Sequence, residues 1–282
     1  MVKLIECPRD AMQGLESFVP TFQKVSYLNS LLRVGFDTLD FGSFVSPKAI
    51  PQMKDTAEVL AQLDLSSTST KLLAIIANVR GAEEAAMHNE IEFLGFPFSI
   101  SETFQLRNTN QRIDQAYDTV DTILEICAKK ERQLVAYLSM GFGNPYGDPY
   151  SEDIVLEHIR ALTTRGVQIL SLSDTIGNAS DQLISSTFTR VRLEFPDLEL
   201  GVHLHARPQD AYSRIQSAFK AGCRRFDGAL RGFGGCPMAK DDLVGNVATE
   251  TIIECLQDAG VSLAIDQPAL ESAMKKSVDV FG

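Results

Sequence analysis

Short apolar runs of strand length alternate along this chain with longer stretches whose apolar residues recur every three or four positions. The first pattern predicts β-strands and the second amphipathic helices. Eight strands are predicted, over 3–7, 38–44, 71–76, 92–100, 133–139, 168–173, 199–205 and 225–229. Helices are predicted over 19–34, 49–63, 82–88, 109–129, 151–165, 180–194, 209–221 and 249–259. Ser151-Glu152-Asp153 opens one of them well, a hydroxyl to cap free amides followed by acids on the positive end of the dipole. Strict alternation of strand and helix demands a parallel sheet with right-handed crossovers. Eight such units fit a closed (β/α)8 TIM barrel, and no Gly-x-Gly-x-x-Gly follows the first strand to suggest an open nucleotide-binding sheet. One catalytic domain spanning 1–282 is expected, with the residues from Ile265 onward a short C-terminal helical appendage.

In such a barrel the functional side chains gather at the C-terminal ends of the strands and in the loops that follow. Strand one runs into Arg9, Asp10 and Gln13; strand two carries Asp40 and ends at Ser43; strand six ends at Asp174; strand seven ends His203-x-His205. Residues two apart on a strand share a face, so both imidazoles can meet one ion. A carboxylate from Asp10 and an amide oxygen from Asn246 could complete a mixed nitrogen and oxygen set, which favours Mg, Mn or a similar divalent ion over a closed zinc site. An isolated pair of histidines at a strand end is otherwise two polar residues and no more. Arg9 and Asp10 could be a surface ion pair or a helix start after strand one; if adjacent on an extended backbone, they point opposite ways and do separate jobs, Asp10 on metal and Arg9 on a developing enolate oxygen. Cys236 sits in a loop with Gly228, Gly232, Gly234 and Gly235 close by, where a thiol can give or take a proton. Cys7, Cys127, Cys223 and Cys255 fall in predicted strands or helices and are expected in the core, as are Phe93, Phe96 and Phe98 inside the barrel. His88 and His158 lie in or beside predicted helices and are expected at the surface. The glycine-rich run 141–147, containing Asn144, follows strand five and could face a substrate or be simply a turn-rich connection.

Composition narrows the function. The 282 residues carry a formal net charge of -11, which argues against nonspecific nucleic-acid binding, since phosphate neutralisation needs clustered Lys and Arg. An anionic substrate must then be held by local groups or by a metal. No apolar stretch is long enough for a membrane span, and the five scattered cysteines, without a Cys-x-x-Cys pair, are those of a reduced, cytoplasmic enzyme.

Taken together, these stretches resemble the 3-hydroxy-3-methylglutaryl-CoA lyases of the DRE-TIM metallolyase superfamily. The resemblance is carried by Pro8-Arg9-Asp10-x-x-Gln13, by Ser43 through Lys48, by Ser101-Glu102-x-Phe104 and by Ser171-Leu172-x-Asp174-Thr175. It continues through His203-x-His205, Gly232-x-Gly234-Gly235-Cys236-Pro237 and Gly245-Asn246-x-Ala248-Thr249-Glu250, in family order. It implies cleavage of 3-hydroxy-3-methylglutaryl-CoA to acetyl-CoA and acetoacetate, a reaction of leucine catabolism and ketone-body formation. It also implies a Mg or Mn cofactor, an acyl-CoA partner and a homo-oligomer, a dimer. Its ligands fall on Asp10, His203, His205 and Asn246, its catalytic groups on Arg9, Cys236, Asp40 and Asp174, and its substrate contacts on Gln13, Ser43 and Asn144. The implied route is retro-Claisen: the metal lowers the pKa of the 3-hydroxyl, the C2–C3 bond breaks, Arg9 stabilises the thioester enolate and Cys236 protonates carbon.

The chain departs from the family at several points. Ala206-Arg207 follows His-x-His where an Asp is usual, Glu16 stands where many members carry Lys, and Asp40 is one methylene shorter than the usual Glu. Lys240-Asp241-Asp242 occupies a loop that is normally small and neutral. The nearest rival is a condensing synthase of the isopropylmalate or homocitrate kind, but those carry Gly-x-Gly-Glu-Arg where this chain has Gly-Phe-Gly-Gly-Cys. A third reading is a catalytically silent metal-binding barrel serving as a scaffold.

Overall fold

Strand β1 (Lys3–Glu6) pairs in parallel with β2 (Thr38–Ser43) on one side and with β8 (Arg225–Gly228) on the other, and this double pairing closes the sheet. Between them run β3 (Lys71–Ile75), β4 (Ile91–Ser99), β5 (Gln133–Ser139), β6 (Ile169–Asp174) and β7 (Glu199–Leu204), each beside its sequence neighbour in one closed barrel. The computed structural model describes residues 1–234 and 244–282. The helices, in order, are α1 (Pro8–Gln13), α2 (Thr21–Leu31), α3 (Thr56–Leu60), α4 (Val79–Ala85), α5 (Glu102–Thr109) and α6 (Ile113–Lys130). They continue with α7 (Glu152–Thr164), α8 (Asp181–Glu194), α9 (Pro208–Lys220), α10 (Thr249–Asp258) and α11 (Gln267–Phe281). No helix among the described residues is long and apolar enough to cross a membrane.

All eight strands form where the alternation of apolar runs predicts them, because each run is short, bounded by polar or glycine residues and buried on both faces. The expected cap holds: the Ser151 hydroxyl accepts from the Ile154 amide at the start of α7. Ser101 and Ser180 do the same for α5 and α8.

Several expectations are corrected. Pro8 does not continue the extended strand; proline at a first helical position starts α1 instead, so Arg9 and Asp10 stand on a turn of helix and pair with each other. Of the three phenylalanines in β4, Phe93 packs inside the barrel, whereas Phe96 and Phe98 belong to the layer between barrel and helices, as strand alternation requires. His158 is half-buried, its Nδ1 2.7 Å from the Tyr117 hydroxyl, and burial lowers its pKa. His88 is half-buried too, its ring 5.4 Å from that of Phe44. The four described cysteines are buried and unpaired.

The C-terminal helix is more than a loose tail. Phe281 meets Tyr27 of α2 edge-on at 5.9 Å and stacks on Phe233, in the loop after β8, at 4.4 Å. That loop is held from the other side by Glu6, whose carboxyl accepts from the Leu230 amide at 2.9 Å and meets the Thr249 hydroxyl at 2.5 Å. Burial pushes Glu6 up to about 8 against both hydrogen bonds.

Candidate active site

The C-terminal ends of the strands open into a cavity whose polar side is lined by Arg9, Asp10, Gln13, Ser43, His203 and His205. Ser139, Ser173, Thr175 and the Tyr137 ring add to its wall, and Val45, Ile50, Ile75, Ala77, Pro97 and Phe104 supply an apolar side. The loop after β2 and helix α5 therefore contribute apolar lining, which the sequence reading did not anticipate.

The ligand atoms of Asp10, His203 and His205 lie within 4.8 Å of one another, and all three residues are buried. The Asp10 carboxylate accepts from Arg9 Nη1 at 3.1 Å, from Gln13 Nε2 at 2.8 Å and from Asn246 Nδ2 at 2.8 Å. Burial alone would raise its pKa, but the Arg9 guanidinium, backed by the Asn246 hydrogen bond, overcomes it and holds Asp10 down to about 2. It is an anion at any working pH.

The two histidines are set up differently. His205 Nδ1 lies 3.1 Å from the Val244 carbonyl, which only accepts, so Nδ1 carries the proton and Nε2 is a bare acceptor. Burial and the neighbouring His203 lower the His205 pKa to about 4, leaving the ring neutral and able to bind a cation. His203 points its Nδ1 at Asp227 Oδ2, 3.4 Å away. Burial would lower its pKa too, but Asp227 and Asp10 raise it above the ordinary value.

Asn246 completes the polar side. Its Nδ2 donates to Asp10 and to the Phe233 carbonyl at 2.8 Å each, which leaves Oδ1 buried with no hydrogen-bond partner among the described residues. An orphaned amide oxygen beside a carboxylate and two imidazoles fits a divalent cation. Gly234, at φ +99, permits this packing, since a Cβ there would meet Asn246 Nδ2 at 2.7 Å.

Arg9 is clamped by carboxylates. Its Nε and Nη2 meet Asp40 at 3.0 and 2.5 Å, and its Nη1 reaches Asp10 and the Gln13 side-chain oxygen. Burial works against its charge, but Asp40 and Asp10 outweigh burial and keep it protonated. Asp40 is fully buried behind Arg9, outside the residues that line the cavity, and its carboxylate holds the guanidinium in place. Its own carboxyl is pushed up by burial to about 6 despite Arg9.

Two expected residues do not join this group. Asp174 accepts from the Ala179 amide at 2.8 Å and the Asn178 amide at 3.2 Å, with Arg214 at 3.4 Å; its neighbours Ser173 and Thr175 line the cavity and it does not. It braces the loop after β6. Asn144 lies off the cavity, using its side-chain oxygen to accept from the Tyr146 and Asp148 amides. The turn it shapes presents Asp148 to Ser101 and Thr103, tying the loop after β5 to the start of α5. Ser43 lines the cavity and accepts from the Val45 amide at 3.2 Å. Cys236 lies outside the described residues. Asp227 was not anticipated, and the only signal for it is the charged pair Arg225-x-Asp227 inside an otherwise apolar strand.

A closed parallel barrel with a carboxylate, two imidazoles and a clamped arginine converging at its C-terminal mouth is that of an α/β-barrel enzyme with a candidate cation site. The sequence model of the HMGL-like family matches residues 2–276, and the chain belongs to that family. Its relatives include the mitochondrial hydroxymethylglutaryl-CoA lyase of Rattus norvegicus, 31% identical over 275 residues, which span 96% of this chain and 83% of that protein. The 3-hydroxy-3-isohexenylglutaryl-CoA/hydroxymethylglutaryl-CoA lyase of Pseudomonas aeruginosa is 30% identical over 100% of this chain and 93% of its own. Among solved structures, an HMG-CoA lyase from Acinetobacter baumannii in complex with coenzyme A and 3-methylmalate superposes with a TM-score of 0.92 at 29% identity, covering 100% of this chain and 92% of that one. The chain is thus a carbon–carbon lyase of the hydroxymethylglutaryl-CoA lyase kind.

Proposed function

We propose that this protein cleaves 3-hydroxy-3-methylglutaryl-CoA, or a 3-hydroxyacyl-CoA with a related C3 substituent, to acetyl-CoA and acetoacetate or the corresponding keto acid. The observation that carries this reading is the convergence of Asp10, His203 and His205 within 4.8 Å beside the unpartnered Asn246 oxygen. These four residues would hold a divalent ion, Mg or Mn from their hard oxygen and imidazole donors. When bound, such an ion acidifies an alcohol placed against it.

The chain's own groups supply the rest. Transfer of the 3-hydroxyl proton to a base makes the C3 carbonyl as the C2–C3 bond breaks, and the bonding pair enters the thioester as an enolate. A guanidinium has five N–H groups. In Arg9, Nε and one Nη2 hydrogen go to Asp40, and both Nη1 hydrogens go to Asp10 and Gln13. The second Nη2 hydrogen remains for the enolate oxygen, held in place before charge develops. Cys236 is assigned the proton delivery to C2 that turns enolate into acetyl thioester. Val45, Ile50, Ile75 and Ala77 provide an apolar wall for the C3 substituent, which supports an alkyl group there. We assign the enzyme to the cytoplasm, as a homo-oligomer, a dimer, acting in leucine catabolism and ketone-body formation.

The test is cleavage of 3-hydroxy-3-methylglutaryl-CoA by purified protein with Mn or Mg, abolished by EDTA and restored by excess metal. Cleavage confined to other 3-hydroxyacyl thioesters would leave the chemistry standing and remove this substrate.

A further inference from the structure

Asp227 is 2% exposed in the barrel interior, and neither carboxylate oxygen has a hydrogen-bond partner among the described residues. A carboxylate so placed is costly unless something answers its charge. The β7–β8 register sets it directly beside His203, with Oδ2 3.4 Å from a His203 Nδ1 that is itself without a hydrogen bond. The Tyr137 ring meets His203 edge-on at 5.7 Å, which limits how the imidazole can turn. Arg225, two residues earlier on the same face of β8, brings a buried guanidinium whose Nε and Nη2 also lack partners among the described residues.

Each imidazole of the cavity thus turns Nδ1 away from the Asp10 group. For His205 the acceptor behind it is the Val244 carbonyl, and for His203 it is a carboxylate. The two nitrogens of a ring lie on opposite sides, so fixing the proton on one aims the bare lone pair of the other.

We infer that Asp227 is a positioning residue: it holds the proton on His203 Nδ1 and so presents His203 Nε2 to the site formed with Asp10, His205 and Asn246. The inference rests on the cation site proposed above. A carboxylate in this place orients the ring more firmly than a carbonyl and makes it a stronger donor to a cation.

The experiment measures Mn2+ affinity by electron paramagnetic resonance for the wild-type protein, Asp227→Asn and Asp227→Ala, alongside their melting midpoints. Affinity should fall about 10- to 100-fold in the alanine variant. The asparagine variant, which retains an acceptor oxygen, should lose less. A purely structural role would lower the melting midpoint and leave the affinity of the folded protein unchanged. Nitrogen-15 spectra of the wild-type histidines give an independent reading that needs no variant to fold, and His203 should carry its proton on Nδ1. Equal Mn2+ affinity in all three proteins, or a His203 proton on Nε2, overturns the inference while leaving the cation site intact. The second result would leave Nδ1 bare toward Asp227 and Cys7, which with His203 form a second group of ligand atoms within 4.8 Å of one another. No Mn2+ binding by the wild-type protein overturns the site and the inference together.

Discussion

Strands β3 to β6 fill their side of the barrel interior with Leu73, Ile75, Phe93, Val135, Tyr137 and Ile169. Strands β7, β8, β1 and β2, with the turn of α1, bring His203, Asp227, Cys7, Asp40 and Arg9 to the other. Both sides are equally buried, and their chemistry is opposite. The burial of the charged side places the Arg9–Asp40 and Asp10–imidazole contacts in a low dielectric, where electrostatic stabilisation is large. The apolar side can measure the shape of a substrate without touching its reacting atoms. On the proposed function, chemistry falls mainly to one half of the sheet and recognition of the C3 substituent to the other.

The sharpest way to break that division is to remove a ligand from the charged half. His205→Ala should lower kcat/KM about 10^3-fold and abolish tight Mn2+ binding, with the circular dichroism spectrum retained. Activity within 10-fold of wild type would mean that the charged half is structural. Next in size is Arg9→Lys. An ammonium keeps the charge but cannot grip Asp40 through two nitrogens while reaching Asp10, Gln13 and a substrate oxygen. Turnover should fall about 10^2-fold with KM changed little, because the lost contact is to an oxygen that gains charge only as the bond breaks. A rise in KM at constant kcat would instead make Arg9 a ground-state binding group.

The charged half was more legible in the sequence than the apolar one, for a physical reason. His203-x-His205 and Arg9-Asp10 are unusual residue types at strand ends, and the (β/α)8 alternation alone says those ends converge. What the chain could not disclose was register. Asp227 reads as an ordinary strand residue until β7 and β8 are aligned with His203 against it. Asp174 sits one residue from two cavity-lining side chains and yet faces the loop amides, since neighbours on a strand point opposite ways. Pro8 favours a helical start, one of the two alternatives open for Arg9-Asp10, and that turn of helix brings the two side chains together. Val45, Ile75, Ala77 and Pro97 are apolar residues among many, and only the closed barrel and its loops single them out as a wall.

The smallest expected effect tests that wall. Ala77, half-buried just after β3, lines the cavity opposite the charged half and makes none of its hydrogen bonds. Ala77→Val adds two methyl carbons where the C3 substituent is assigned, and a methylene in an apolar pocket is worth about 1–3 kcal/mol of discrimination. Because only part of that added volume need collide, kcat/KM for the methyl-bearing substrate should fall about 5- to 10-fold, mostly through KM. A substrate with a longer C3 chain should lose more, and one with hydrogen at C3 less or nothing. This ordering is what recognition by shape requires. An equal loss for all three substrates, or a loss confined to kcat, would mean that the wall presses on the reacting carbons, and the division of labour between the two halves would fail.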